Sequence, residues 1–282
     1  MRITWLALTA ITWTAPLAAQ TDCTLGHLPY SSNEARLLRK FEAPLILSPG
    51  AAPAGLARGQ VEVGVDVTYL PHIDSAVATP TYCRPGKPPE NVNLIGAIPR
   101  PRIAIGLSPV LVLELSWIPP IRLNGVKADI FGLSLARRWQ WGAARHLTAR
   151  LHGTVGQVNA TITCTAAQIQ PSGPPQCAGL PAPSNDSYQP NNVGVDAAVD
   201  WRLHGGGLRP YVGAGYTVEM PRFRVDPNNT LVNQRVEGNY TRPSLFGGLT
   251  WMAGATLGLS AEVYAVPGDL VTGRVGVRWS GK

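Results

Sequence analysis

The sequence predicts an all-β fold: one antiparallel up-and-down barrel of ten transmembrane strands, preceded by an irregular segment. Three observations point there. Between Asn192 and Glu219 two runs alternate strictly, with Val193, Val195, Ala197, Val199, Trp201 and Leu203 on one side of the first and Leu208, Pro210, Val212, Ala214, Tyr216 and Val218 on one side of the second. A period of two over ten residues is a strand, and the turn His204-Gly205-Gly206-Gly207 sets Leu203 opposite Leu208, so both apolar sets share a face. Each run has about the length that a tilted strand needs to cross a bilayer. The second observation is that charged residues make up only 15% of the chain, against roughly 25% in soluble domains, which suits an outer surface facing lipid. The third is that connections alternate long and short along the chain, as extracellular loops and periplasmic turns do in outer-membrane barrels.

In chain order, Met1 to Ala19 carries Arg2, an apolar core from Ile3 to Leu17 and the small pair Ala18-Ala19, the pattern of a secretory signal peptide. Residues 20–59 lack two-fold alternation. They hold one helical stretch, Asn33 to Phe41, capped by Ser31 or Ser32, and form either a periplasmic tail under the barrel or a plug in its lumen. The barrel is residues 60–279. Its first strand is Gln60 to Tyr69, with valines outward and Glu62, Gly64, Asp66 and Thr68 inward. After a long loop, Pro71 to Pro99, come Pro101 to Leu107 and Val110 to Trp117. The fourth and fifth strands are Lys127 to Trp141, with Arg137 as the one charge on the outward side, and His146 to Val158. The loop Asn159 to Pro190 leads into the 192–219 hairpin, and the loop Pro221 to Tyr240 into Thr241 to Trp251. A three-residue turn, Met252-Ala253-Gly254, pairs Trp251 with Ala255 at the start of the ninth strand, Ala255 to Tyr264. The tenth runs from Asp269 to Trp279.

Four cysteines in an exported chain favour disulfides over metal sites. Cys164 and Cys177 share one strandless stretch and are expected to pair, which leaves Cys23 with Cys83. Trp141, Trp201, Trp251 and Trp279 fall on the outward face at the periplasmic ends of their strands and form an interfacial belt, with Tyr69, Trp117 and Tyr216 toward the other end. The net charge of +7 is spread along the chain. Nucleic-acid binding needs a clustered basic footprint and is excluded.

Strand parity places seven acids inside: Glu62, Asp66, Glu114, Asp196, Asp200, Glu219 and Glu262. Eight bases join them: Arg102, Arg138, Arg150, Arg202, Arg209, Arg242, Arg274 and Arg278, and His152 also faces inward. A selective pore would carry rings of one sign. Near-balance in a narrow lumen instead predicts mutual pairing, since unpaired charges there are costly.

Taken together, the strands from Gln60 to Trp279 resemble the small outer-membrane barrels of the OmpA and OmpX type, with two strands more. The resemblance is one of pattern, and it implies residence in the bacterial outer membrane, contact with its lipid, and long loops able to meet an extracellular ligand. His72-Ile73-Asp74 resembles the His and Asp residues of ten-stranded surface proteases of the omptin type, but the second acidic pair of such sites is not evident. HExxH, GxSxG, P-loop and paired CxxC motifs are absent. The expectation is therefore a non-enzymatic barrel with a salt-bridged, largely occluded lumen and no cofactor or metal, serving surface interaction or envelope structure. The alternatives are a small-solute pore and an outer-membrane barrel hydrolase or acyltransferase.

Overall fold

The computed structural model describes residues 27–281 except 54, 84–85, 143, 204, 206, 226–234 and 255. The leader expected at 1–19 and the cysteine at position 23 lie outside the described residues, so the pairing expected of Cys23 with Cys83 does too. Fourteen strands form one sheet: β1 (Val61–Tyr69), β2 (Ala97–Ser108), β3 (Leu111–Ile118), β4 (Arg122–Leu123), β5 (Val126–Gln140), β6 (Arg145–Ala160), β7 (Asp186–Gln189), β8 (Asn192–Trp201), β9 (Leu208–Glu219), β10 (Arg222–Arg224), β11 (Arg235–Glu237), β12 (Tyr240–Ala253), β13 (Leu257–Val266) and β14 (Leu270–Ser280). Ten of them close the barrel in the order β1, β2, β3, β5, β6, β8, β9, β12, β13, β14, every neighbour antiparallel, with β14 returning to β1 through pairs such as Val63 with Trp279. Closure leaves no sheet edge inside the membrane, where an unpaired N–H or C=O has no water to turn to.

Alternation drives this arrangement. In β13 every second residue from Leu257 to Val263 is exposed and those between are buried. The 192–219 hairpin has the expected register: Asn192 faces Glu219, and Leu203 and Leu208 exchange N–H donations of 2.8 and 3.3 Å. Other details differ. Trp251 pairs with Leu259 and not with Ala255, because β12 continues to Ala253, which faces Leu257, and Gly254 follows it with φ +89°. That shift of four keeps the parity, so the outward set is unchanged. The loops expected from Asn159 to Pro190 and from Pro221 to Tyr240 contain β7, β10 and β11, which extend the sheet from β6 beyond the barrel wall.

The segment before β1 is the third layer. Helix α1 (Asn33–Glu42) starts at Ser32, whose hydroxyl accepts from the Ala35 N–H at 3.2 Å, and passes into a 3-10 turn (Ala43–Leu45). Helix α1 sits at the loop end of the barrel, where the Glu34 carboxylate accepts from the backbone N–H of Tyr82 and Cys83, both at 2.8 Å. The chain then runs down inside the barrel. The Pro53 carbonyl accepts from Arg209 at 2.6 Å near the turn end, and Gly59 N–H reaches Gly106 O at 2.7 Å before β1 begins. Leu38 and Leu45 pack with Ile98, Ile130 and Tyr188 near the loop end, and Ile46 and Ala52 with Tyr211, Phe246 and Tyr264 below.

Candidate functional site: the lumen and its N-terminal segment

The inward positions of the ten strands bring the charged residues onto three paired clusters. On β1, β2, β3 and β14, Arg102 lies 2.5 Å from Asp66 and 2.6 Å from Glu114, while Arg278 stands 3.5 Å from Asp66 and 3.6 Å from Glu62. On β13 and β14, Arg274 is 3.2 Å from Glu262, which also accepts from the Tyr211 hydroxyl at 2.9 Å. The third group crosses β5, β6, β8 and β9. Arg150 pairs with Asp196 at 2.7 Å, and Arg138 and Arg209 share Asp200 at 3.3 and 2.9 Å. His152 Nε2 is 3.5 Å from Asp196 and His146 Nδ1 is 3.5 Å from Asp200. Cross-strand register produces these pairs directly, since Arg150 faces Asp196, Asp200 faces His146, and Glu262 faces Arg274.

The arginines donate to more than carboxylates. Arg100 reaches the carbonyl of Leu45 at 2.7 Å, Arg150 that of Leu47 at 2.8 Å and Arg102 that of Ser48 at 2.9 Å. Arg274 reaches Ile46 O at 3.1 Å and Arg278 reaches Pro49 O at 2.9 Å. A guanidinium carries five donors, and one carboxylate cannot absorb them all. The segment thus lies in a collar of arginines that hold it by its backbone. Glu262 fixes it from the other side, accepting from the Ser48 hydroxyl and from Gly50 N–H, the latter at 3.0 Å.

At the loop end the acids and bases belong partly to α1. Arg39 is 3.0 Å and Arg242 2.6 Å from Asp269, and the Arg39 guanidinium lies over the Tyr30 ring at 4.0 Å. Glu42 is fully buried and accepts from the Tyr188 hydroxyl at 2.6 Å and the Asn192 amide at 2.5 Å. Burial pushes its carboxyl up to about 7, against the opposing pull of those two donors. The Tyr188 hydroxyl is raised well above its ordinary value, first by burial and then by the neighbouring Glu42. A small apolar cavity of about 100 Å³ opens between Phe41, Leu45, Ile98 and Val158.

Of the positions that parity assigns to the lumen, Glu62, Asp66, Glu114, Arg138, Arg150, His152, Asp196, Asp200, Arg209, Glu262, Arg274 and Arg278 lie there. Glu219 and Arg242 sit at the mouth, and neither carboxylate oxygen of the buried Glu219 has a hydrogen-bond partner among the described residues. Arg202 is a correction: β8 ends at Trp201, and Arg202 is exposed at the turn. His146, at the start of the fifth strand, is buried inside the turn end. Arg100 was missed, since Pro99 and Pro101 disguise the strand that carries it. His72 is an exposed loop residue, and Asp74 beside it caps α2 (Ser75–Ala78). Cys164 and Cys177 form a disulfide, and Asp186 ties down their loop by accepting from Ile162 N–H at 2.9 Å and Thr163 N–H at 2.6 Å.

Outside, the picture inverts. Val61, Val63, Val65, Val67, Leu133, Leu151, Val195 and Val263 are exposed around the wall, and Trp141, Trp251 and Trp279 project outward at the turn end, with Trp201 half-buried beside them. Arg137 keeps company with this ring, its guanidinium 5.2 Å from the Trp139 centroid. Charges inside and a belt of bare apolar side chains outside require lipid around the wall. The chain is a transmembrane β-barrel protein.

No protein-family model matches the chain, and no curated protein matches it by sequence. Among solved structures, the translocator domain of the autotransporter NalP from Neisseria meningitidis is similar at 11% identity, covering 88% of this chain and 98% of that one with a TM-score of 0.42. The outer membrane protease OmpT of Escherichia coli is similar at 9% identity, 79% and 94% coverage and a TM-score of 0.39. Ail, the attachment invasion locus protein of Yersinia pestis, gives 7% identity, 79% and 99% coverage and a TM-score of 0.30. The likeness in all three cases lies in the barrel fold.

Proposed function

We propose that this barrel is a non-conducting, non-enzymatic outer-membrane protein, closed by its own N-terminal segment, whose loop end serves surface interaction or envelope structure. The observation that carries this reading is the filled lumen: five arginines from β2, β6 and β14 hold the carbonyls of residues 45–49, and acids pair with four of them, so charges of both signs line the space. Support for the non-enzymatic part comes from His152. It is buried beside Asp196, and among the described residues no serine, threonine or cysteine is hydrogen-bonded to it. Packed long loops, one stapled by a disulfide and one clamped by Glu34, make the loop end a firm surface for an extracellular ligand.

Planar-bilayer recording tests the reading. The full chain is expected to be silent, and a variant lacking residues 33–53 is expected to show stable steps. A porin-sized conductance from the full chain would establish the pore reading instead.

A further inference from the structure

The outward face of β5 and β6 changes character abruptly at the loop end. Phe131 and Val155 face each other across the two strands, and two residues further on the same face holds Asp129 and Gln157, then Lys127 and Asn159. The pairing carries this last row across six strands, Arg122 to Lys127 to Asn159 to Ser187 to Arg224 to Arg235. Below it Arg222 faces Gln189 on one side and Glu237 on the other. Alternation puts Val158, Tyr188, Phe223 and Val236 on the opposite face, where they pack toward α1. The polar rows therefore look away from the barrel axis.

Five bases on this face stand against two acids, and both acids are engaged: Asp129 accepts from the Trp117 indole at 3.0 Å, and Glu237 pairs with Arg235 at 3.0 Å and Arg222 at 3.8 Å. Arg122, Lys127 and Arg224 have no carboxylate partner among the described residues, and all three are exposed. A polar hollow of about 410 Å³ runs between Gln157, Gln189, Arg222 and Arg224. Directly beneath, on the lipid-facing wall, lies an apolar concavity of about 970 Å³ lined by Leu115, Trp117, Phe131, Leu151, Val155 and Val193. Trp117 marks the boundary between the two, as an interfacial aromatic does.

We propose that this wall binds phosphorylated, acylated lipids of the surrounding leaflet, with their phosphates spaced along the Arg122, Lys127 and Arg224 row and acyl chains in the concavity below. Guanidinium groups suit phosphate oxygens, and unpaired bases at the membrane surface attract anionic headgroups. The anion-seeking row and the chain-sized groove meet on β5 and β6, and that coincidence selects a lipid over a soluble anion.

The test is native mass spectrometry of the full-length protein released from detergent with phosphatidic acid as probe, diacylglycerol as the phosphate-free control and inorganic phosphate as competitor. Phosphatidic acid is expected to stay bound and diacylglycerol to leave. Retention should fall about fivefold or more for each reversed charge in Lys127→Glu and Arg224→Glu, and also in Val155→Trp, which fills the groove. Arg145→Glu, at the turn end, should leave it unchanged. Arg224 lies beyond the wall, so R224E tests the row even if K127E fails to insert, and heat-modifiable gel mobility verifies folding of each variant. Equal retention of diacylglycerol, equal loss in R145E, or displacement by inorganic phosphate at matching concentration would each overturn the proposal.

Discussion

Gly50 offers the sharpest handle on the lumen. It sits at φ +67°, and a Cβ built there would meet Asp66 Oδ2 at 2.5 Å and Arg278 Nη2 at 3.1 Å. Gly50→Val adds two penalties. The left-handed backbone costs an L-residue about 1–2 kcal/mol, and more for a β-branched one. Asp66 must also move, and it is the carboxylate that joins Arg102 to Arg278. Disturbing a buried pair of this kind costs about 3–5 kcal/mol if one partner is left alone. The cheaper outcome is for the segment to leave and the wall to keep its pairs, because residues 45–50 carry no charge of their own and are held by hydrogen bonds to their backbone and to Ser48 and by the apolar packing of Leu45 and Ile46. G50V is therefore expected to fold into a heat-modifiable barrel, to lose amide-exchange protection over residues 43–53, and to show conductance steps in planar bilayers. Gly59→Ala supplies the comparison: Gly59 also has positive φ, +78°, but nothing lies within 4 Å of its Cβ position. Protection over 43–53 in G50V equal to that of the unmodified chain, with no conductance, would refute the reasoning.

Three further outcomes follow from the same contacts. Glu42 has its carboxyl raised from 4.5 to about 7, so its contribution to docking of α1 is full below pH 4.5 and is lost as pH rises through 7, a change of about 3 kcal/mol. Tyr188 and Asn192 donate to it, and Glu219, which has Asp269, Arg242 and Arg39 around it, stands beside it. Amide exchange in α1 should accelerate between pH 4.5 and about 7 after correction for intrinsic rates, and Glu42→Gln should flatten that response. Arg150→Met leaves Asp196 with His152 alone and should destabilise the barrel by about 3–5 kcal/mol in urea titrations in lipid, whereas Arg202→Ala, at an exposed turn, should change it by no more than about 0.5 kcal/mol. Reducing the Cys164–Cys177 bond, which closes a separation of 13 residues, should remove about 3 kcal/mol from that loop in the chain-entropy model. It should admit protease between residues 161 and 184 without altering the gel mobility of the barrel.

How much of this was written plainly in the chain depends on what pattern each feature leaves. Two-fold alternation is long and regular in β8, β9, β13 and β14, so the wall, its inward charges and its outward tryptophans are all legible. Parity has no endpoint, however. It continues through Arg202 although β8 has stopped, and it cannot tell a pairing of Trp251 with Ala255 from one with Leu259, because both preserve the outward set. Strands of three or four residues, β7, β10 and β11, are too short to show a period at all. Prolines at 99 and 101 face outward in β2, opposite Val67 and Val65, and hide Arg100 behind residues that usually mark the end of a strand. Side-chain types also say nothing about which backbone carbonyls an arginine will find.

That last point nonetheless has a physical logic that can be read backwards from the lumen. Arg100, Arg102, Arg150, Arg274 and Arg278 bring about twenty-five N–H donors, at five each, into a space where water is scarce. The carboxylates they pair with accept only some of them, and a buried donor left unmade costs about 1–3 kcal/mol. A filler that reduces the deficit must bring acceptors without bringing many donors of its own. The run Pro44-Leu45-Ile46-Leu47-Ser48-Pro49-Gly50-Ala51-Ala52-Pro53 does so. Every residue offers a carbonyl, three prolines offer no N–H, and the side chains are small or apolar except Ser48, whose hydroxyl is taken by Glu262. Two of the remaining donors are placed as well, Gly50 N–H on Glu262 at 3.0 Å and Ala52 N–H on Thr250 at 2.8 Å. A polar filler of the same length would bring its own unmet groups into the lumen, and a purely apolar side-chain plug would leave the arginines unsatisfied. Replacing Pro49 by Ala adds one donor and little else, so it should loosen the segment measurably in amide exchange while leaving the wall intact.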